Sequence, residues 1–146
     1  MKRRILLVDD DLAVLLTLKA VLELHGFEVE TAANTSEAFS RLESSSYHMV
    51  ISDLRMETED AGMEVIRAAR RQSYDPATAL LTAYPPSENH VNGKGAADEQ
   101  PDSMLVKPLG TGDLVRQIEA LLIRHADQQQ LRQRTAQAQL RRRPAS

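Results

Sequence analysis

The sequence contains no cysteine. A disulfide framework and a thiolate zinc centre are therefore both excluded, and a reducing compartment suits every residue. Long apolar runs are also missing. The basic opening Met1-Lys2-Arg3-Arg4 leads into Ile5–Val8 as a signal peptide would, but Asp9, Asp10 and Asp11 cut that run short. No later stretch is long enough to span a bilayer, so no membrane partner is expected and a cytoplasmic setting is. Nucleotide-binding loops are absent too: Gly93-Lys94-Gly95 lacks the upstream glycine and the following hydroxyl residue, and Gly110-Thr111-Gly112 reads as a turn feeding a helix. There is no internal repeat.

What is present suits one soluble globular domain. The chain has 146 residues, 42% of them hydrophobic and 27% charged. Its net charge of −3 conceals an asymmetry, because residues 1–123 carry 12 basic and 20 acidic side chains while residues 124–146 carry 6 and 1. An acidic body ends in a basic tail.

Four brief, branched apolar runs read as buried strands: Ile5–Val8, Met49–Ser52, Ala79–Leu81 and Met104–Val106. Continuous apolar runs suit a parallel sheet covered on both faces. Phe27–Ala32 alternates Phe27, Val29 and Thr31 with Glu28 and Glu30, the pattern of a half-exposed strand near an edge. Leu12–His25 predicts a helix stopped by Gly26. Asn34 and Glu37 form a capping-box pattern opening a second helix through Leu42, before Ser44-Ser45-Ser46. Gly62–Gln72 is amphipathic, and Leu114, Ile118, Leu121 and Leu122 stripe a last helix starting near Thr111–Asp113. That helix is expected to run on past Arg124 as an exposed, fraying extension toward Pro144. Strand and helix alternate, which favours a doubly wound α/β sheet. Between Pro85 and Pro101 a fourth helix is expected to be degenerate, since Pro85, Pro86, Gly93 and Gly95 all oppose it.

Ligands of such sheets bind beyond the carboxyl ends of the strands. The residues placed there are Asp9, Asp10 and Asp11, then Asp53, then Thr82, then Lys107. Two carboxylates about 4 Å apart repel by roughly 4 kcal/mol at an effective dielectric near 20, so such a cluster either takes up protons or recruits a cation. Mg²⁺ accepts carboxylates and waters while leaving room for phosphoryl oxygens, and the softer ligands of zinc are lacking. His25, His48, His90 and His125 show no ligand spacing and are expected at the surface or its boundary.

Val8-Asp9-Asp10-Asp11, Ser52-Asp53-Leu54-Arg55-Met56, Leu81-Thr82-Ala83 and Val106-Lys107-Pro108 together resemble the response-regulator receiver domain, the CheY-like family of two-component signalling. The resemblance covers about residues 3–123. It implies a flavodoxin-like five-stranded sheet in the order 2-1-3-4-5; residues 124–146, outside it, read as a basic Gln/Arg-rich helical extension or tail. It further implies that Asp53 accepts a phosphoryl group, that Asp10 binds Mg²⁺ directly and Asp9 through water, and that the Arg55 carbonyl supplies another ligand. Thr82 and Lys107 would contact phosphoryl oxygens. The implied partners are a sensor histidine kinase or phosphotransfer protein, a downstream protein and a second copy in a homodimer. The role is that of a phosphoacceptor in signalling rather than of an enzyme.

The pattern departs from the family in four places. Glu57 stands where Pro usually follows the Met, the expected glycine comes one position late as Gly62, and Met104 occupies the place of a switching aromatic. The interval from Thr82 to Lys107 is also a few residues longer than is typical. The acidic loop with Glu57, Glu59 and Asp60 would bear on the approach of a phosphoryl donor, and output would pass through Pro85–Pro101 or the basic tail. The tail is too short for a winged helix, so output by protein contact is expected, not sequence-specific DNA binding. Its arginines would meet an acidic partner, nucleic acid, the acidic body or only solvent. One alternative is a receiver-like interaction module that is never phosphorylated. Another is a phosphohydrolase using Asp9 as nucleophile and Asp11 as acid.

Overall fold

A computed structural model describes residues 2–82, 100–106 and 110–141. Strands β1 (Arg4–Val8), β2 (Glu28–Ala32), β3 (Met49–Asp53), β4 (Ala77–Thr82) and β5 (Ser103–Val106) form one parallel sheet in the order β2-β1-β3-β4-β5. Helices α1 (Leu12–Leu24) and α4 (Thr111–Arg141) share one face and α2 (Thr35–Ser44) and α3 (Ala61–Arg70) the other. This is the expected doubly wound arrangement.

The alternation of side chains divides the core between those faces. Ile5, Leu7, Met49, Ile51 and Leu105 pack against Leu15 and Leu22 of α1 and Ile118 of α4. Leu6, Val8 and Val50 point the other way, onto Ala38, Leu42, Val65 and Ala69. β2 lies at an edge, with Val29 buried and Glu28 exposed. β4 begins two residues before the expected Ala79, because Ala77 and Thr78 are also fully buried and pair with β3.

Local signals act where they were placed. Gly26 has φ +90°, and its N–H and that of Phe27 return to the carbonyls of Glu23 and Leu22, a left-handed helix stop open to glycine. Asn34 Oδ1 accepts from the Glu37 N–H at 2.8 Å, and Glu37 Oε2 accepts from the Ala33 N–H at 2.9 Å. α2 runs two residues past Leu42, since the Ser44 hydroxyl donates back to the Ser40 carbonyl at 2.8 Å instead of breaking the helix.

α4 is one continuous helix of 31 residues, about 46 Å long at the usual rise. It passes position 123 without interruption, and residues 130–139 are exposed. Within the segment expected to hold a degenerate helix, residues 85–99 lie outside the described residues, His90 among them, and so does Lys107. No helix among the described residues is long and apolar enough to cross a membrane.

Candidate acidic site at the carboxyl edge

Strand register brings the site together. Val8 pairs with Ser52 and Asp53 with Leu81, so Asp9, Asp53 and Thr82 stand beside one another at the carboxyl edge of three adjacent strands. Carboxylate oxygens of Asp9, Asp10 and Asp53 all lie within 4.8 Å of one another. Asp9 is buried, Asp53 half-buried and Asp10 exposed, which gives the cluster a solvent-facing mouth. Thr82 ends β4, buried, and pairs with Val106, the residue before Lys107. Lys107 itself lies outside the described residues. Arg55 sits in the loop that follows Asp53.

Backbone bonds fix these groups. The Asp9 N–H donates to the Ala32 carbonyl at 3.1 Å and Asp9 Oδ1 accepts from the Asp11 N–H at 2.9 Å. Asp11 does not join the cluster. Its carboxylate caps α1, accepting from the N–H groups of Ala13 at 3.0 Å and Val14 at 3.3 Å. The sequence alone placed all three aspartates at the crevice, but the helix start claims the third.

Behind Asp53, α3 presses onto the chain. The Gly62 N–H donates to the Leu54 carbonyl at 2.9 Å, and a Cβ at Gly62 would lie 2.2 Å from the Asp53 carbonyl oxygen and 2.6 Å from Leu54 Cα. Close approach, not backbone freedom, demands glycine here. Although it stands one position late in the chain, Gly62 thus supports the end of β3 directly.

Glu57, expected to bear on donor approach, is occupied elsewhere. Its Oε2 accepts from the Thr35 N–H at 3.0 Å and the Thr35 hydroxyl at 2.7 Å. Slight burial works against the carboxylate, but those bonds outweigh it and hold its pKa below the ordinary value. The acidic loop is thereby tied to the start of α2. Met104, in place of an aromatic, packs half-buried against Met63, Ile66 and Leu80.

Comparison with known proteins supplies the family. The response regulator receiver domain model matches residues 5–119. The chain belongs to the response regulator receiver family. This receiver is 36% identical over 121 residues to the transcriptional regulatory protein PrrA of Mycobacterium tuberculosis, covering 83% of the chain and 50% of that protein. It is 37% identical over 123 residues to the CpxR homolog of Haemophilus influenzae, covering 84% of the chain and 52% of that protein. The chain spans about half the length of these relatives. Among solved structures, a CheY-like receiver from Methanospirillum hungatei superposes with a TM-score of 0.77 at 27% identity, over 88% of this chain and 99% of that one. TrrA of Thermotoga maritima, solved in complex with Mg²⁺ and BeF, gives 0.68 at 33% identity, over 83% and 99%.

One histidine departs from expectation. His125 is buried, only 6% exposed, because α4 stays helical beyond Arg124 and turns that ring toward the loops preceding β4 and β5. Its Nε2 lies 2.9 Å from the Asp75 carbonyl and its Nδ1 3.8 Å from Asp102 Oδ2. Asp102 accepts from the Thr78 N–H at 2.8 Å and from its hydroxyl at 3.1 Å, and pairs with Arg70 at 3.3 Å. No spacing rule links residues 75, 102 and 125, so this amino-edge network was invisible before folding.

Proposed function

We propose that Asp53 accepts a phosphoryl group from a phosphohistidine on a sensor kinase or phosphotransfer protein, in a Mg²⁺-dependent reaction. The observation that carries the proposal is the meeting of the Asp9, Asp10 and Asp53 carboxylates within 4.8 Å at the carboxyl edge. So many like charges in one half-open pocket are stable when a hard cation is shared among them. The donor set fits Mg²⁺, which the carboxylates of Asp9, Asp10 and Asp53 and the carbonyl of Arg55 would hold. Bound there, Mg²⁺ supplies charge neutralisation for the carboxylates and for the equatorial oxygens of the incoming group.

The rest of the work falls to protein groups. An Asp53 carboxylate oxygen attacks phosphorus, the P–N bond breaks, and the imidazole leaves with its electron pair and takes up a proton. The product is an acyl phosphate. Thr82 donates its hydroxyl to one phosphoryl oxygen and Lys107 pairs with another, so most of the rate comes from positioning and fixed charge. The Asp11 N–H holds the Asp9 carboxylate toward the site, and Gly62 lets α3 brace the backbone of the acceptor.

Residues 1–123 form the receiver and 124–146 the extension in this reading. Output runs through contact with a downstream protein, with a homodimer as one such contact, and the setting is cytoplasmic. Beryllofluoride, which mimics a bound phosphoryl group without covalent chemistry, tests the reading. With Mg²⁺ it is expected to produce saturable amide shifts at Asp53 and Thr82. Asp53→Asn, or omission of Mg²⁺, should remove them; shifts that persist in either case contradict the proposal, and so does their absence in the parent with Mg²⁺, which would leave a receiver-like interaction module.

A further inference from the structure

At the amino edge of the sheet, opposite the acidic cluster, lies a cavity of about 460 Å³. Its walls come from the residues leading into β1, from Tyr47 and His48 before β3, from Tyr74 and Asp75, and from one side of α4. The volume falls in the range of small-molecule sites.

The charge of this hollow runs against that of the molecule. Residues 1–123 are strongly acidic, yet Lys2, Arg3 and Arg4 all line the cavity. Each of its two carboxylates has a cationic partner: Glu28 lies 3.7 Å from Arg4, which Glu30 also engages, and Asp75 lies 2.9 Å from Arg132. Lys2 and Arg3 are exposed and form no ion pair among the described residues. Two cationic residues therefore line the hollow without an ion-pair partner among those residues.

His48 lines the same hollow. The Arg4 N–H donates to His48 Nδ1 at 2.9 Å, so the neutral ring carries its proton on Nε2. Partial burial, then Arg3 and Arg4, hold the His48 pKa below the ordinary imidazole value. Burial is the larger cause, and the two guanidinium groups add to it, so Arg3 and Arg4 stand close enough to the ring to act on it.

We propose that this amino-edge cavity binds a small phosphorylated ligand, with Lys2 and Arg3 taking phosphate oxygens and His48 donating from Nε2. Guanidinium and ammonium groups are the protein's usual phosphate partners, and a ring N–H adds a directed bond. The site is independent of the acidic cluster, which lies at the other end of the strands, and needs neither Mg²⁺ nor Asp53.

Amide correlation spectra of the full chain, titrated without Mg²⁺ at constant ionic strength, test the proposal. Pyrophosphate and AMP form separate arms. The expected result is saturable shifts centred on Arg3, His48 and Gln129. They should weaken by roughly tenfold or more in the Lys2→Gln/Arg3→Gln double variant and stay unchanged in Asp53→Asn. Tighter binding of AMP assigns a nucleotide-like ligand, and tighter binding of pyrophosphate a free phosphate. Because both substituted side chains are exposed, the double variant should keep its Tm. A second readout is the His48 ring titration, which a bound anion moves upward. Shifts confined to residues 132–141, failure to saturate, or equal affinity in the double variant would overturn the proposal.

Discussion

His125 Nε2 lies 2.9 Å from the carbonyl oxygen of Asp75, a residue 50 positions earlier whose backbone is left-handed at φ +48°. Gln129 donates to the same carbonyl at 2.9 Å and Arg132 to the Asp75 carboxylate at 2.9 Å. Residues 125, 129 and 132 follow one face of α4, so the helix is clamped by one turn of chain just where it leaves the sheet. Asp75 is one of the residue types that accept a left-handed conformation most readily, and the clamp holds it there.

His125→Ala removes the buried part of this clamp. It should cost about 1–3 kcal/mol, since the Asp75 carbonyl keeps only Gln129 as donor and the buried ring leaves a cavity behind. Hydrogen exchange should accelerate over residues 126–141 more than in β1 or β3. Arg132→Ala, which breaks only an exposed ion pair, should cost less than about 1 kcal/mol. Equal effects in the two variants would show that His125 anchors nothing.

Gly62→Ala is expected to do more damage than a surface helix substitution. With 2.2 Å to the Asp53 carbonyl oxygen, the new methyl group must displace α3 or the end of β3. Overpacking of that kind costs about 1–3 kcal/mol and should slow modification of Asp53 as well. Urea midpoints and phosphorylation rates measured on one preparation check both effects.

The aspartates after β1 should separate by role. Asp11→Ala removes the cap of α1 and should lower stability by about 1 kcal/mol while leaving Mg²⁺ affinity near normal. Asp10→Asn should do the reverse, keeping or raising the metal-free Tm as repulsion is relieved, and weakening Mg²⁺ binding. Thermal melts with and without Mg²⁺ distinguish them.

Alkaline unfolding offers a test of the face carrying α2 and α3. Burial raises Tyr74 to about 12, and its hydroxyl donates to the Leu42 carbonyl at 3.0 Å. A group raised in the folded state lends stability that is complete below its unfolded value near pH 10 and is lost as pH rises through 12. Tyr47, raised by burial and by Glu30, acts in the same direction. Stability should therefore fall above pH 10 in the parent and more shallowly in Tyr74→Phe; denaturant midpoints from pH 8 to 11 measure the slope.

Most of the fold was legible because its signals are local. Apolar runs, the Asn34 and Glu37 pair and Gly26 each act on their near neighbours, and alternation of elements then leaves few topologies. The acidic cluster was legible for the same reason, since strand ends in a parallel sheet fall on one edge. Three features were not. Asp11 looks like Asp9 and Asp10 until the helix start takes its carboxylate. Glu57 meets Thr35 only after α2 and the loop beyond β3 come together. His125, Asp75 and Asp102 depend on contacts across the whole domain, for which no periodicity gives warning.

The central claim is that Asp53 is the phosphoryl acceptor of a Mg²⁺-dependent site built with Asp9 and Asp10. Intact mass measurement after incubation with acetyl phosphate tests it most directly. The account predicts a gain of a single phosphoryl group in the parent chain with Mg²⁺, and none in Asp53→Asn or when Mg²⁺ is withheld. The same gain in Asp53→Asn, or no gain in the parent with Mg²⁺ present, would contradict it.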